Sequence, residues 1–342
     1  MFGSYYFQDE EIYTKAKQIL NAQLKEQILQ DGAHYELSPM YHQIILHRVL
    51  DCLNLVQNSI WKNRELQSLL TGTAEKMLAW LHNITFNNGE IPYLNDAAPG
   101  VAPSSAELIA YARNLGLNIP KLKLTDSGYR KFDFTDLEVV MDIGQIAPSY
   151  QPGHSHADNL QFVFNYKDKP ILVDTGISTY DKDARRQVER STSSHNTVTI
   201  DDQNSSNVWD GFRVAERATT TILKETDTVL EASHDGFRNL GLIHKRTFML
   251  AENGFKIQDV IEGNLQKYQS IGYLHFHPHV TLELSEGQLN IDNTIKLELM
   301  GAETTELEAY EFAEAYNTLI IAKRLVYYFK TKCTLNFTIL NA

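Results

Sequence analysis

The sequence predicts an α+β protein in two parts: an α-helical domain over residues 1–120, then an antiparallel β-sandwich over residues 121–342. Three observations carry this. A chain of 342 residues exceeds what one compact core organises well, so two domains are expected. Apolar residues recur at helical spacing up to about residue 117, and from Tyr129 onward they alternate with polar ones. Helices first and strands afterward segregate α from β and exclude a βαβ fold.

The first long helix is expected over residues 9–30, with Ile12, Ala16, Ile19, Leu20, Leu24 and Ile28 near one face. The next begins at an N-cap, Ser38, followed by Pro39 at the first helical position; its apolar set is Ile44, Ile45, Val49, Cys52, Leu53 and Val56. A third covers about 64–83. A fourth follows Pro103-Ser104-Ser105 and stops at Gly116. Helices joined by short loops suit an all-α bundle or toroid. Downstream, Leu160–Tyr166, Thr197–Ile200, Ala218–Leu223 and Leu319–Ala322 read as short strands separated by Asp, Asn and Gly turns, the pattern of a sandwich.

The formal net charge is −12, which argues against general nucleic-acid binding. An anionic polymer needs local cations, for which Arg185, Arg186, Arg190, Arg213 and Arg217 are candidates; a solvated surface of Arg–carboxylate pairs is the alternative. No run of about 18 apolar residues is present, so no membrane span is expected. The start has no basic region followed by an apolar stretch, so no signal peptide is read there. The two cysteines, Cys52 and Cys333, fall in different predicted domains and form no CxxC motif.

Four segments are candidates for chemistry. In Gly153-His154-Ser155-His156-Ala157-Asp158, extended chain would place His154 and His156 on one face. With Asp174 and His195 downstream, two imidazoles and a carboxylate would make a three-ligand zinc site; unrelated polar residues at strand ends are the alternative. The segment Asp31–His42 joins two helices by a loop dense in titratable groups, among them His34, Tyr35, Glu36, Tyr41 and His42. In His275-Phe276-His277-Pro278-His279 the histidines alternate, as in a metal cluster or a half-exposed strand. His234-Asp235-Gly236 reads as a turn with one polar group in reach of a cleft.

Taken in order, these segments resemble the heparinase II/III family. Gly153–Asp158, Val173–Gly176, Arg190–Val198, Val208–Arg213 and His234–Gly236 are similar to its C-terminal domain; Asp31–His42 and Ile91–Asp96 are similar to segments of its α/α toroid. The resemblance covers nearly the whole chain. It implies a polysaccharide lyase acting on an anionic, uronate-containing polymer such as heparan sulfate or alginate, and favours a bacterial periplasmic or envelope location, with the cytoplasm as the alternative. It also implies that His154 and Tyr41 are catalytic, with Tyr35 a weaker alternative to Tyr41. His156, Asp174 and His195 would hold a divalent metal, zinc rather than calcium. Tyr35, Arg190, Arg213 and His234 are assigned to substrate binding.

The reaction suits those residue types. Elimination removes the C5 proton of a uronate and expels the O4 oxygen. Neutralising the carboxylate stabilises the enolate-like transition state. A His or Tyr phenolate then serves as base, and a Tyr hydroxyl protonates the leaving oxygen. One departure stands out: the family's carboxylate-neutralising Asn has no counterpart upstream of Asp31, where Asn21 lies mid-helix without that context. The chain is therefore expected to lack upstream helices, to expose Phe2, Tyr5, Tyr6 and Phe7, and to be a weak lyase. A noncatalytic carbohydrate-binding or assembly protein and a metal hydrolase are the competing readings.

Overall fold

The structure, a computed structural model, describes residues 1–340 apart from 63, 135 and 286. Among the described residues its helical half has five helices: α1 (Phe2–Phe7), α2 (Glu10–Gln27), α3 (Pro39–Asn58), α4 (Gln67–Ile84) and α5 (Ser105–Asn114). Each start has a local cause. The Asp9 carboxylate accepts the Ile12 N–H at 2.9 Å to cap α2. Ser38 caps α3 ahead of Pro39. At α5, Ser104 and Glu107 form a reciprocal capping box. The apolar faces of α3 and α4 meet through Leu46, Leu50, Leu53, Leu70, Met77 and Leu81, all fully buried.

Strands follow. An antiparallel sheet runs in the order β1 (Tyr129–Phe134), β2 (Leu137–Asp142), β3 (Phe162–Tyr166), β4 (Lys169–Leu172). Next come α6 (Ala184–Glu189), β5 (Val198–Ile200), β6 (Asn207–Trp209) and β7 (Arg213–Ala215). The rest of the chain is β8 (Thr220–Glu225), β9 (Val229–His234), β10 (Ile243–Ala251), β11 (Gly254–Glu262), β12 (Ser270–His275), β13 (Leu282–Ser285), β14 (Gln288–Ile291), β15 (Ile295–Ala315) and β16 (Thr318–Ile339). The large sheet has the order β13-β14-β15-β16-β11-β10-β9-β8, and β12 pairs with both β16 and β5.

The two sheets share one core. Phe162 and Phe164 of β3 meet Phe255 edge-on, at 6.2 and 5.1 Å between ring centres, and Phe255 stacks on Phe337 at 4.5 Å. Strand alternation sends Val163 to the opposite face, where it packs with Trp80, Phe86 and Tyr129 beneath the helical half. The central strands β2 and β3 are thus buried on both sides, between the helical half and the large sheet.

Several expectations change. Tyr5 is buried against Tyr13 and Trp61, at 5.8 and 5.3 Å; Phe2, Tyr6 and Phe7 are the exposed members of that group. The three alternating histidines do not form a cluster: His275 ends β12 with its ring buried beside Asn196, and His277 and His279 lie in the following loop. Leu319–Ala322 belongs to a hairpin of 21- and 22-residue strands, whose tip bonds back through Asn317 N–H to Ser178 O. Cys52 and Cys333 are free. Among the described residues no helix is long and apolar enough to cross a membrane.

Candidate active site

Three loops converge where the helical half meets the small sheet, and backbone-directed hydrogen bonds tie them together. Ser38 Oγ donates to Asp96 O at 2.8 Å. Asn95 donates from Nδ2 to Leu37 O and accepts the His156 N–H at 3.0 Å on Oδ1. Asp96 N–H donates to His154 O at 3.1 Å. The segments 31–42, 91–96 and 153–158 therefore hold one another in place.

At their meeting point lies Asp96, with no exposed surface. His154 Nδ1 stands 2.9 Å from Asp96 Oδ2, and His156 Nε2 stands 2.8 Å from Oδ1. Arg186, also fully buried, reaches both oxygens, at 2.5 and 2.6 Å. Burial alone would raise the pKa of Asp96. The hydrogen bonds from His154 and His156 and the Arg186 charge outweigh it and hold this carboxyl well below the usual carboxylate range.

With Nδ1 engaged, Nε2 is the His154 nitrogen left for a ligand; Glu36 lies 3.9 Å from it. The His154 ring stacks on Tyr41 at 3.9 Å between centres and 27° between planes. Tyr41 Oη is 3.1 Å from Tyr180 Oη. Burial raises the pKa of Tyr41 despite the Tyr180 hydrogen bond, which works the other way. Tyr180 is raised further, again by burial first. The Arg186 guanidinium lies against the adjoining Tyr180 and Phe212 rings, at 5.1 and 5.3 Å, so the same group positions Asp96 and the aromatic wall.

The residues expected to hold a metal are neighbours. The rings of His156 and His195 are 5.3 Å apart. His156 Nδ1 and His195 Nε2 are buried and have no hydrogen-bond partner among the described residues. Two imidazoles, each with one nitrogen held by a carboxylate and the other orphaned, fit a metal-binding pair. Asp174 is not free in the same way: Oδ2 accepts from His195 Nδ1 at 2.7 Å, and Oδ1 accepts the Gly176 N–H at 2.9 Å. Among the described residues, no set of three or more His, Cys, Asp or Glu is arranged to hold a metal ion. As placed, Asp174 acts on His195 rather than beside it. A further buried carboxyl, Asp158, lies close by, pushed up to about 6 by burial.

The proposed substrate ligands fare differently. Tyr35 Oη is 3.1 Å from Tyr150 Oη, at the surface next to Glu36. Arg213 is exposed, 3.5 Å from Asp210 and over the Trp209 ring. Arg190 does not line the cleft. It is fully buried and donates from Nε and Nη2 to Ser155 O, bracing the histidine loop. His234 does not reach it either. Its ring is buried between His244, at 3.1 Å, and the Gly236 N–H, so it offers no atom to an arriving ligand. The remaining arginines of that group are also engaged: Arg185 with Glu189 and Glu311, Arg217 with Ser149 O and Val214 O. Asp96 and Tyr180 are site residues to which sequence reasoning gave no role, and Arg186, expected as a cation lining the cleft, is instead buried against Asp96.

Comparison with known proteins agrees with this architecture. The heparinase II/III-like C-terminal pattern matches residues 118–339, and the heparinase II/III N-terminus pattern matches residues 8–114. The chain belongs to the heparinase II/III-like family. It is similar to a heparin-sulfate lyase of Bacteroides stercoris, 24% identical over 273 residues, covering 72% of this chain and 39% of that protein. A heparin-sulfate lyase of Pedobacter heparinus is 24% identical over 211 residues, covering 54% of this chain and 31% of that protein. The chain thus spans well under half the length of these relatives. A solved heparan sulfate lyase mutant from Pedobacter heparinus superposes with a TM-score of 0.75 at 18% identity, over 95% of this chain and 56% of that one; this is a likeness of fold.

Proposed function

We propose that this chain is a polysaccharide lyase, cleaving a uronate-containing polymer of the heparan-sulfate or alginate kind by β-elimination. Its helices, residues 1–120, are read as an arc of an α/α toroid and residues 121–342 as the β-sandwich domain. The observation that carries the reading is the stacked Tyr41–His154 pair, held by the buried Asp96–Arg186 ion pair. In it a base and a proton donor lie side by side, as elimination requires.

In this reading His154 Nε2 takes the C5 proton, and Asp96 fixes the ring through Nδ1. Burial favours the neutral phenol at Tyr41, which suits it to protonate the departing O4, with Tyr180 hydrogen-bonded behind it. Tyr35 and Arg213, at the surface, are the remaining candidates for substrate contact. A divalent metal, zinc in preference to calcium because the orphaned donors are imidazole nitrogens, would be held by His156 and His195 with Asp174 orienting the latter. Bound there, it would supply a rigid cross-link between the loops behind His154.

The test is the ultraviolet absorbance of an unsaturated uronate on incubation with heparan sulfate, alginate and related polymers. Cleavage without a new double bond would replace the lyase reading with a hydrolase. Binding without cleavage would replace it with a carbohydrate-binding protein.

A further inference from the structure

Away from the Tyr41–His154 cleft, a cavity of about 250 Å³ lies between the Phe86–Pro99 segment, the helix-facing side of β3–β4 and the tip of the β15–β16 hairpin. Neither Tyr41, His154 nor Tyr180 lines it. At its inner wall is Asn165 of β3, which is 4% exposed. Alternation puts Asn165 on the same face as Val163, towards the helical half. Every other residue of β3 is apolar or aromatic, and Asn165 has no side-chain hydrogen bond to any described residue, although its atoms are not sealed from the cavity. The amide therefore has its hydrogen-bonding capacity open to whatever occupies the cavity, water or a ligand.

We propose that this cavity binds an uncharged hexopyranose ring, with Asn165 as its polar anchor. The amide offers a donor and an acceptor together, the combination a sugar hydroxyl matches. Tyr93, Phe312 and the Pro92 and Pro170 rings supply apolar surface for the C–H face of a pyranose. The charges select against an anion: Glu90 and Glu314 line the cavity, Asp174 does so with its oxygens taken by His195 and the Gly176 N–H, and the described lining holds no Lys or Arg, its basic groups being the His277 and His279 imidazoles. Burial lowers His277, at the rim, to about 4, so this imidazole adds no positive charge near neutrality. The volume is below the ~300–1,000 Å³ of drug-sized sites, which suits one ring rather than an oligosaccharide.

The experiment is ligand-observed NMR on the full chain with the neutral methyl hexopyranosides of the gluco, galacto and manno series, beside glucuronate and glucosamine. At least one neutral glycoside should bind saturably with Kd of ~1–10 mM. Glucuronate should bind more weakly. His154→Ala should keep this binding. Asn165→Leu should weaken it at least ~10-fold while leaving the thermal midpoint unchanged or raised, because the side chain has no hydrogen bond to a described residue to lose and leucine adds apolar burial. A fall in midpoint with Asn165→Leu would show that the amide serves the fold. The proposal is also overturned if no neutral glycoside binds, if glucosamine or glucuronate binds more tightly, or if binding is lost in His154→Ala and kept in Asn165→Leu. None of these outcomes depends on lyase activity.

Discussion

His154 Nδ1 and Asp96 Oδ2 are 2.9 Å apart although 58 residues separate them in sequence, and the contact joins the helical half to the loop leading into β3. The same carboxylate receives Arg186 in a two-point pair with both partners fully buried. A buried ion pair loses most when one member is removed, because the other charge stays behind uncompensated. Asp96→Ala is therefore expected to lower stability by about 3–5 kcal/mol in urea unfolding. The double variant Asp96→Leu/Arg186→Met should recover much of that loss, yet remain defective in elimination because His154 is no longer held. A double variant with normal activity would show that the pair is scaffold only.

His154→Ala should lower elimination by ~10²–10⁴-fold, the usual worth of a positioned acid or base, with little change in unfolding midpoint. Tyr41→Phe should fall in the same range. Because the two rings stack at 3.9 Å, the effects should not add: the double variant is expected to be no worse than the poorer single. Additive losses in initial rates would mean that the residues act in separate steps.

Metal content gives an independent reading of the His156–His195 pair. Purified protein analysed by atomic emission should carry zinc, and His195→Ala should lose it. Chelation should lower the thermal midpoint of the parent chain and leave that of the variant unmoved. Protein loaded with zinc in excess and then desalted, if it retained none, would remove the metal from the account.

How much of this was readable beforehand depended on how local each signal is. Ser38-Pro39 and Ser104–Glu107 announce helix starts because capping acts within one turn. The His154-x-His156 spacing suggested two rings on one face of extended chain, but Gly153 and His154 lie in a turn ahead of β3, and the two rings meet by sharing Asp96. Asp96 stood inside a segment already singled out, but its role depends on Arg186, which lies 90 residues away on a six-residue helix with no strong pattern of its own. Arg190 was misassigned because arginine is ordinarily exposed; here its guanidinium meets Ser155 O in the interior. Most of the long β15–β16 hairpin went unread because β15 is largely solvent-facing or half-buried, so apolar alternation fades along it, although β16 lends Leu325, Tyr327, Phe329, Leu335 and Phe337 to the core.

The last expectation concerns acid. His42 is buried at the start of α3, where its Nδ1 accepts the His34 backbone N–H at 3.2 Å and its Nε2–H donates to Met77 O at 3.0 Å. Protonating Nδ1 would set two donors against each other. Burial, reinforced by neighbouring His34, lowers the pKa of His42 to about 3. An unfolded histidine titrates near ~6.5. Between those values the unfolded chain binds a proton that the folded one refuses, so unfolding becomes easier as pH falls. The stabilisation is complete above ~6.5 and is lost progressively toward about 3, with a slope approaching ~1.4 kcal/mol per pH unit for this group. His34, lowered to about 4 by burial and by His154, acts in the same direction. Urea unfolding from about pH 7 to about pH 4.5 should show this slope. His42→Asn retains an acceptor for the His34 N–H but cannot take up the proton. It should cost about 1–2 kcal/mol near neutrality through the lost Met77 bond, and should flatten the acid limb by one histidine's share. An unchanged acid slope in the variant would mean that His42 is not titrating as its burial requires.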